Sequence, residues 1–312
     1  MIQRAARLAG RYRVDDGRRF RLRDVDPGDT NGLRSKSAAK ETLREGVAML
    51  AEQQDKLYAQ DRWAVLLIFQ AMDAAGKDST IEHVMTGVNP QGVQVHAFKA
   101  PSEEELDHDY LWRTTSRLPE RGRIGIFNRS YYEEVLVVRV HREVLAREKL
   151  PAQLVTRDIW RQRFEDINAF ERYLTRNGVV VRKFFLHVSR EEQRRRFLSR
   201  LDEPEKNWKF CLGDVRERDH WDAYMAAYED AIRHTSTPHA PWYVIPADHK
   251  WFTRIAVAAA VVDTLQGLGL AYPKVDESKR RELDEARRIL RMEERTGRAQ
   301  AEPRRRAGAK RS

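Results

Sequence analysis

The chain has 312 residues, 58 Lys and Arg against 48 Asp and Glu, a formal charge of +10 and one cysteine. A single cysteine excludes an intrachain disulfide and a cysteine-based zinc site, and no run approaches the ~18 consecutive apolar residues of a membrane span. The length suits one large α/β domain with appendages.

The positive charge sits at the ends. Residues 1–35 hold nine Arg against five Asp, and 277–312 hold 13 basic against seven acidic residues, which leaves the body neutral. A nucleic-acid-binding domain carries its excess on the folded face, so no specific nucleic acid is expected as a partner. A polyanion would be met by local clusters. The N-terminus lacks the apolar centre of a signal peptide; with no membrane segment either, a cytoplasmic location is the expectation.

Residues 1–35 are rich in Arg and Asp, carry DDG, DPGD and NG turn signals, and read as an irregular basic arm. A helix is expected from Ser37 to about residue 59, with Leu43, Val47, Leu50 and Leu57 near helical spacing. It leads into LLIFQAMDAAGKDSTIEHV, where 64–69 reads as a buried strand, 70–76 as a tight loop of small residues and Lys77 onward as a helix. That order cradles phosphate. The loop turns backbone N–H groups inward, the helix adds its positive dipole end, and Lys77 supplies a cation. The pattern G-x-x-x-x-G-K-[ST] would put Gly at Ala71 and Ser or Thr at Asp78, so two fixed positions depart while Gly76 and Lys77 stand in place. Ser79 and Thr80 bring hydroxyls slightly later. Ala74, Ala75, Gly76, Asp78, Ser79 and Thr80 are therefore candidate phosphate or nucleotide contacts. Asp73 is a carboxylate inside a loop meant for anions. It needs a metal or a lysine to neutralise it, which makes it the candidate Mg²⁺ ligand. On these residues alone, an ordinary strand-to-helix turn with a surface lysine would look similar.

A second strand is expected over 93–98, with Lys99 at its end, where ligands of open α/β sheets gather. Ser102 and Glu105 form a capping box for a helix through Arg113. Lys99 and Arg113 are candidates for an acceptor's phosphate. A third strand over 124–127 ends in Asn128 and Arg129. An amide binds metal more weakly than a carboxylate, which shifts metal duty toward Asp73. Arg129 would face the phosphates and offset charge on a transferring group, with Glu133 and Glu134 on the next helix placed to orient it.

A helix over 151–176, a strand over 179–188, an Arg-dense helix from Ser189, a helix over about 216–234, a strand over 242–245 and a helix over 250–268 follow. Five strands separated by helices give a parallel sheet. Arg196 and Arg200 share a helix face, and Lys206 and Lys209 follow them. They read either as a solvated face paired with local glutamates or as a lid that excludes water from a transfer. Beyond Pro273 a charged helical pattern fades into RRRAGAKRS, read as a disordered tail. There is no HExxH or G-x-S-x-G pattern.

The stretches QAMDAAGKDST, GVNPQGVQVHAFKAP, LWRTTSRLPERGRIGIFNRSYYEEVLVVRVH, KFFLHVSREEQRRRFLSRLDEPEKNWKF and APWYVIPADHKW, in this order over about residues 11–268, resemble the polyphosphate kinase 2 family. The resemblance implies an α/β, thymidylate-kinase-like three-layer P-loop fold with a five-stranded parallel sheet over 36–272 and a helical lid over about 190–225, flanked by the arm and by the basic segment 273–312. It also implies Mg²⁺ dependence, phosphoryl transfer between inorganic polyphosphate and a nucleoside mono- or diphosphate, and a homo-oligomer of two or four chains. The family's loop positions carry over to Asp73, Gly76 and Lys77, its second motif to Asn128 and Arg129, and its lid cations to Arg196, Arg200 and Lys209. Members often have Gly where this chain has Ser79, and Asp where it has Asn128. NRSYYEEVLV with Glu133 resembles the subgroup acting on AMP as well as ADP. An ATP-dependent nucleoside monophosphate kinase, which needs no long basic groove, and a non-enzymatic polyanion binder using the basic ends are the rival readings.

Overall fold

The computed structural model describes residues 2–33 and 36–308. Six strands, β1 (Arg13–Val14), β2 (Ala64–Gln70), β3 (Val93–Ala97), β4 (Ile124–Asn128), β5 (Val179–His187) and β6 (Trp242–Pro246), form one sheet in the order β1-β6-β5-β2-β4-β3. Every neighbouring pair is parallel except β1 with β6. The central strands read as unbroken apolar runs because both their faces are covered; all seven residues of β2 are buried.

The longer helices are α1 (Ile2–Tyr12), α2 (Lys36–Gln60), α3 (Lys77–Val84), α4 (Ile159–Arg176), α5 (Arg190–Asp202), α6 (Trp221–Thr235), α7 (Lys250–Gln266) and α8 (Glu277–Gly308). One group gathers around α7, which packs on α1, α2, α3 and β6; a second joins α4 and α6 to β5. Segment 272–312 is a separate unit, whose helix α8 carries Glu–Arg and Asp–Arg pairs at i,i+3 and i,i+4.

Five expectations are corrected. The sheet has six strands, not five, because Arg13 and Val14 in the supposed irregular arm pair antiparallel with Tyr243 and Trp242 and close the β6 edge. Two residues are too few for an alternation signal. The same arm forms α1, whose Leu8, Ala9 and Tyr12 are buried; Arg4, Arg7 and Arg11 line another stripe, so the arginine density hid an amphipathic helix. The helix expected over 102–113 keeps its capping box but breaks into Glu103–Leu106 and Trp112–Thr115, and the one expected from 151 starts at Ile159. Finally, α8 continues through Gly308, where an unstructured tail was expected; residues 309–312 lie outside the described set. Glu, Arg and Ala are strong helix formers.

Two buried ionic clusters fix the segment that follows β4. Lys183 of β5 and Glu171 of α4 are both fully buried and pair at 2.5 Å; Lys183 also donates to Thr235 O at 2.7 Å. The other oxygen of Glu171 accepts from the hydroxyls of Tyr131 and Tyr132 at 3.0 and 2.8 Å. These tyrosines begin a tight 3₁₀ turn, Tyr131–Val135, where a longer helix was expected. Anchoring both hydroxyls on one carboxylate holds the turn in place. In the second cluster Arg163 bonds Glu134 and Glu148. The Glu134 carboxyl is pushed up to about 8 by burial and by the neighbouring Glu148, with Arg163 opposing.

Replacing Lys183 by Met leaves the Glu171 carboxylate buried without its cation and should cost about 3–5 kcal/mol in urea denaturation. Adding Glu171→Gln, which stays neutral and still accepts from both tyrosines, should restore much of that loss. A single variant as stable as the parent would contradict the role given to the pair. Glu134 binds its proton more tightly folded than unfolded, so its stabilising contribution is complete below about pH 4 and is lost as pH rises through about 8. Melting temperature should therefore fall more steeply across that window in the parent than in Glu134→Gln. Parallel profiles would remove Glu134 as the source.

Candidate active site

The site lies at the C-terminal edge of the sheet, where β2 and β4 end side by side and Phe69 pairs with Asn128. From β2 the chain turns through 71–76 into α3. Ala74 and Gly76 have φ of +61° and +101°. Gly76 takes that conformation readily and Ala74 does so at a cost, so the loop is held from outside. The holding group is Arg196 of α5. Its Nη1 donates to Ala74 O and Ala75 O at 3.1 and 2.7 Å, its Nη2 to Ala247 O and Asp248 O at 2.6 and 3.1 Å, and its Nε to Glu192 at 2.7 Å. Gln193 adds a bond to Asp73 O at 2.9 Å. In a trans peptide the N–H points opposite to the preceding carbonyl. Drawing the carbonyls of Asp73 and Ala75 toward α5 therefore turns the N–H groups of Ala74 and Gly76 the other way, as an anion cradle requires.

Lys77 Nζ bonds Ala71 O at 2.8 Å. Burial lowers its pKa, while Asp73 works to keep it charged and Arg129 adds to the lowering. Ser79 gives its hydroxyl to Gly76 O, and Thr80 is buried in the first turn of α3. Asp78, expected as a phosphate or nucleotide contact, accepts from the Asn128 amide and so ties the loop helix to the end of β4.

Arg129, at φ +64°, donates its backbone N–H to Phe69 O at 3.0 Å, and its guanidinium meets Asp73 at 3.1 Å and Glu133 at 3.6 Å. Burial opposes its charge, but Glu133 and Asp73 outweigh that and raise its pKa. Burial raises the Glu133 carboxyl, with Arg129 and Lys77 opposing. With its amide nitrogen toward Glu133, Gln70 bonds that carboxylate at 2.8 Å and accepts from Ser130 N–H. The Arg129 and Asp73 side chains stay 39 % and 31 % exposed, so a ligand can reach between them.

Beyond Arg129 opens a cavity of about 380 Å³ whose wall includes Lys99, Tyr110, Arg113, Glu133, Val137 and Glu148. Arg113 is nearly buried; it donates to Lys99 O at 2.8 Å and approaches Glu105 at 3.6 Å. It shapes the wall, and Lys99 is the exposed cation beside it.

The expected residues thus separate. Asp73, Lys77, Arg129 and Glu133 form one electrostatic cluster, and Asp78 with Asn128 borders it. Arg196, expected as a lid cation, has all five donors committed to carbonyls and Glu192. Arg200 lies over the Phe197 ring at 5.5 Å and acts electrostatically on Asp214. The side chains of Lys206 and Lys209 lie outside those described. Sequence reading missed Gln193, Asp214, Tyr110 and Glu148. Burial and then the nearby Asp73 raise the Asp214 carboxyl, which marks it as a neighbour from a distant segment. No local pattern distinguishes these four.

Among the described residues no group of three His, Cys, Asp or Glu side chains is placed to hold a metal, and no helix is long and apolar enough to cross a membrane. The family model for polyphosphate kinase 2 matches residues 33–270. An ADP-polyphosphate phosphotransferase of Rhodopseudomonas palustris is 50% identical over 89% of this chain and 97% of its own. An AMP/ADP-polyphosphate phosphotransferase of Meiothermus ruber is 48% identical over 85% and 95%. The crystal structure of polyphosphate kinase 2 from Arthrobacter aurescens TC1 superposes with a TM-score of 0.80 at 43% identity, covering 88% of this chain and 95% of that one. With this sheet, this loop and these relatives, the chain belongs to the polyphosphate kinase 2 family.

Proposed function

We propose that the chain transfers a phosphoryl group between inorganic polyphosphate and AMP or ADP on a P-loop, thymidylate-kinase-like scaffold. The observation that carries this reading is the cluster of Asp73, Lys77, Arg129 and Glu133 at one end of the cavity. The acceptor nucleotide occupies the cavity with its terminal phosphate toward Arg129. Polyphosphate reaches the same point along the N–H face of the 71–77 loop, past Lys77. An acceptor phosphate oxygen, already ionised near neutral pH, attacks the terminal phosphorus of the chain, and the shortened polyphosphate leaves. No strong general base is needed, so positioning and charge neutralisation carry the rate. Lys77 and Arg129 spread the charge that develops on the transferring group. Glu133 holds Arg129 in place, and Gln70 holds Glu133.

The residues fit Mg²⁺ of the substrate-bridged kind, which takes one or two carboxylates and completes its shell with phosphates and water. Asp73 would hold it, with Asp214 as its acidic neighbour. When bound, the ion supplies positive charge to the reacting phosphates. Arg196 is assigned to positioning the loop, in place of contacting polyphosphate.

With polyphosphate as sole donor and ADP as acceptor, Lys77→Ala and Asp73→Asn should each lower ATP formation by about 10²–10³-fold while circular dichroism stays unchanged. Near-parental turnover in either folded variant rejects the assignment. An ATP-dependent nucleoside monophosphate kinase would make ATP from ADP only by disproportionation, with an equal amount of AMP and no dependence on polyphosphate. Arg196→Lys keeps the charge but cannot span four carbonyls. It should lower kcat by roughly 10–100-fold with little added salt sensitivity, whereas loss of a phosphate ligand would show chiefly as a salt-dependent rise in KM for polyphosphate.

A further inference from the structure

The cavity beyond Arg129 is lined by four cations, Arg129 among them, and by five carboxylates, Glu134 and Glu148 among them. Consecutive glutamates take different partners, Glu133 pairing with Arg129 and Glu134 with Arg163. Leu106, Val137, Val138, Val144 and Leu150 give an apolar lining suited to a flat ring. Two atoms in the wall are buried and have no hydrogen-bond partner, Glu148 Oε1 and the Tyr110 hydroxyl. The other oxygen of Glu148 is held by Arg163. Arg163 also lies over the Tyr110 ring at 5.2 Å, so one buried cation supports both residues.

A nucleotide carries phosphates, which Arg129 suits, and a flat base with hydrogen-bonding edge atoms, which the apolar lining and the two unpaired atoms suit. We propose, on the reading that the cavity holds the acceptor, that Glu148 and Tyr110 are specificity-determining residues that recognise an amino group next to a ring nitrogen, the edge that adenine presents. The Glu148 carboxylate accepts from the amino group, and the Tyr110 phenol donates to the ring nitrogen. With one oxygen held by Arg163 and Oε1 unpaired, Glu148 presents an acceptor to the cavity. A base without the amino donor leaves Oε1 buried and unpaired, the situation in which a polar site rejects an analogue most strongly.

The test compares ADP with purine riboside 5′-diphosphate, in which hydrogen replaces the amino group, using inorganic polyphosphate as donor and the full chain. The unaltered protein should favour ADP in kcat/KM by at least about tenfold. Glu148→Gln must keep its amide oxygen on Arg163 and turn its NH₂ toward the base, so its preference should fall to within about threefold or reverse. Turnover of both nucleotides within about threefold by the unaltered protein overturns the inference and leaves the kinase reading intact. Failure of both nucleotides to accept a phosphoryl group from polyphosphate rejects the kinase reading. The comparison on the unaltered protein decides the point even if Glu148→Gln does not fold.

Discussion

The site depends on a backbone conformation that the loop would not hold by itself. Ala74 at positive φ is strained, and the carbonyls of 73–75 all face away from the ligand side. Arg196 and Gln193, one helical face of α5, hold those carbonyls, and Arg196 also reaches the segment after β6. One guanidinium thereby joins the loop, helix α5 and the segment that follows β6. Its charge is balanced by Glu192 and by carbonyl dipoles, so all of its donors serve to brace the loop.

A second constraint is how cations are kept on one edge without pushing each other out. Arg129 disfavours the charge on Lys77, which Asp73 and Glu133 favour, and the same two carboxylates raise Arg129. Asp73 therefore serves as a counterion to both cations. The arrangement also explains Asn128. A carboxylate there would face Asp78 directly, whereas the amide donates to it. Negative charge that could have stood at the strand end stands in the loop.

The support behind Arg129 is remote from phosphate and wholly buried. Tyr131 and Tyr132 fasten its segment to Glu171, and Lys183 neutralises that carboxylate in the core. Burying such a pair brings little net stability. What it provides is a shared anchor for the two hydroxyls of the 3₁₀ turn. The Arg163 cluster ties down the next glutamate, and its Glu134 and Glu148 also line the cavity.

Strand β2, its loop and the start of α3 were legible from the sequence because periodicity, small residues and a Gly-Lys pair are local properties. The resemblance of long ordered stretches named the family for the same reason: residues in a motif are neighbours in the chain. Tertiary structure alone decided that Arg196 braces the loop, that Asp78 meets Asn128, and that Tyr110 and Glu148 share a cavity with Arg129. Each of these joins residues far apart in sequence, and an arginine on a helix reads the same whether its donors face phosphate or carbonyl oxygen. Strand β1 and helix α1 stayed hidden because two residues carry no period and arginine masks a short apolar stripe. The sequence determined which chemical groups are present and which local elements carry them. Packing decided which of those groups were already satisfied within the protein and which remained open to a ligand.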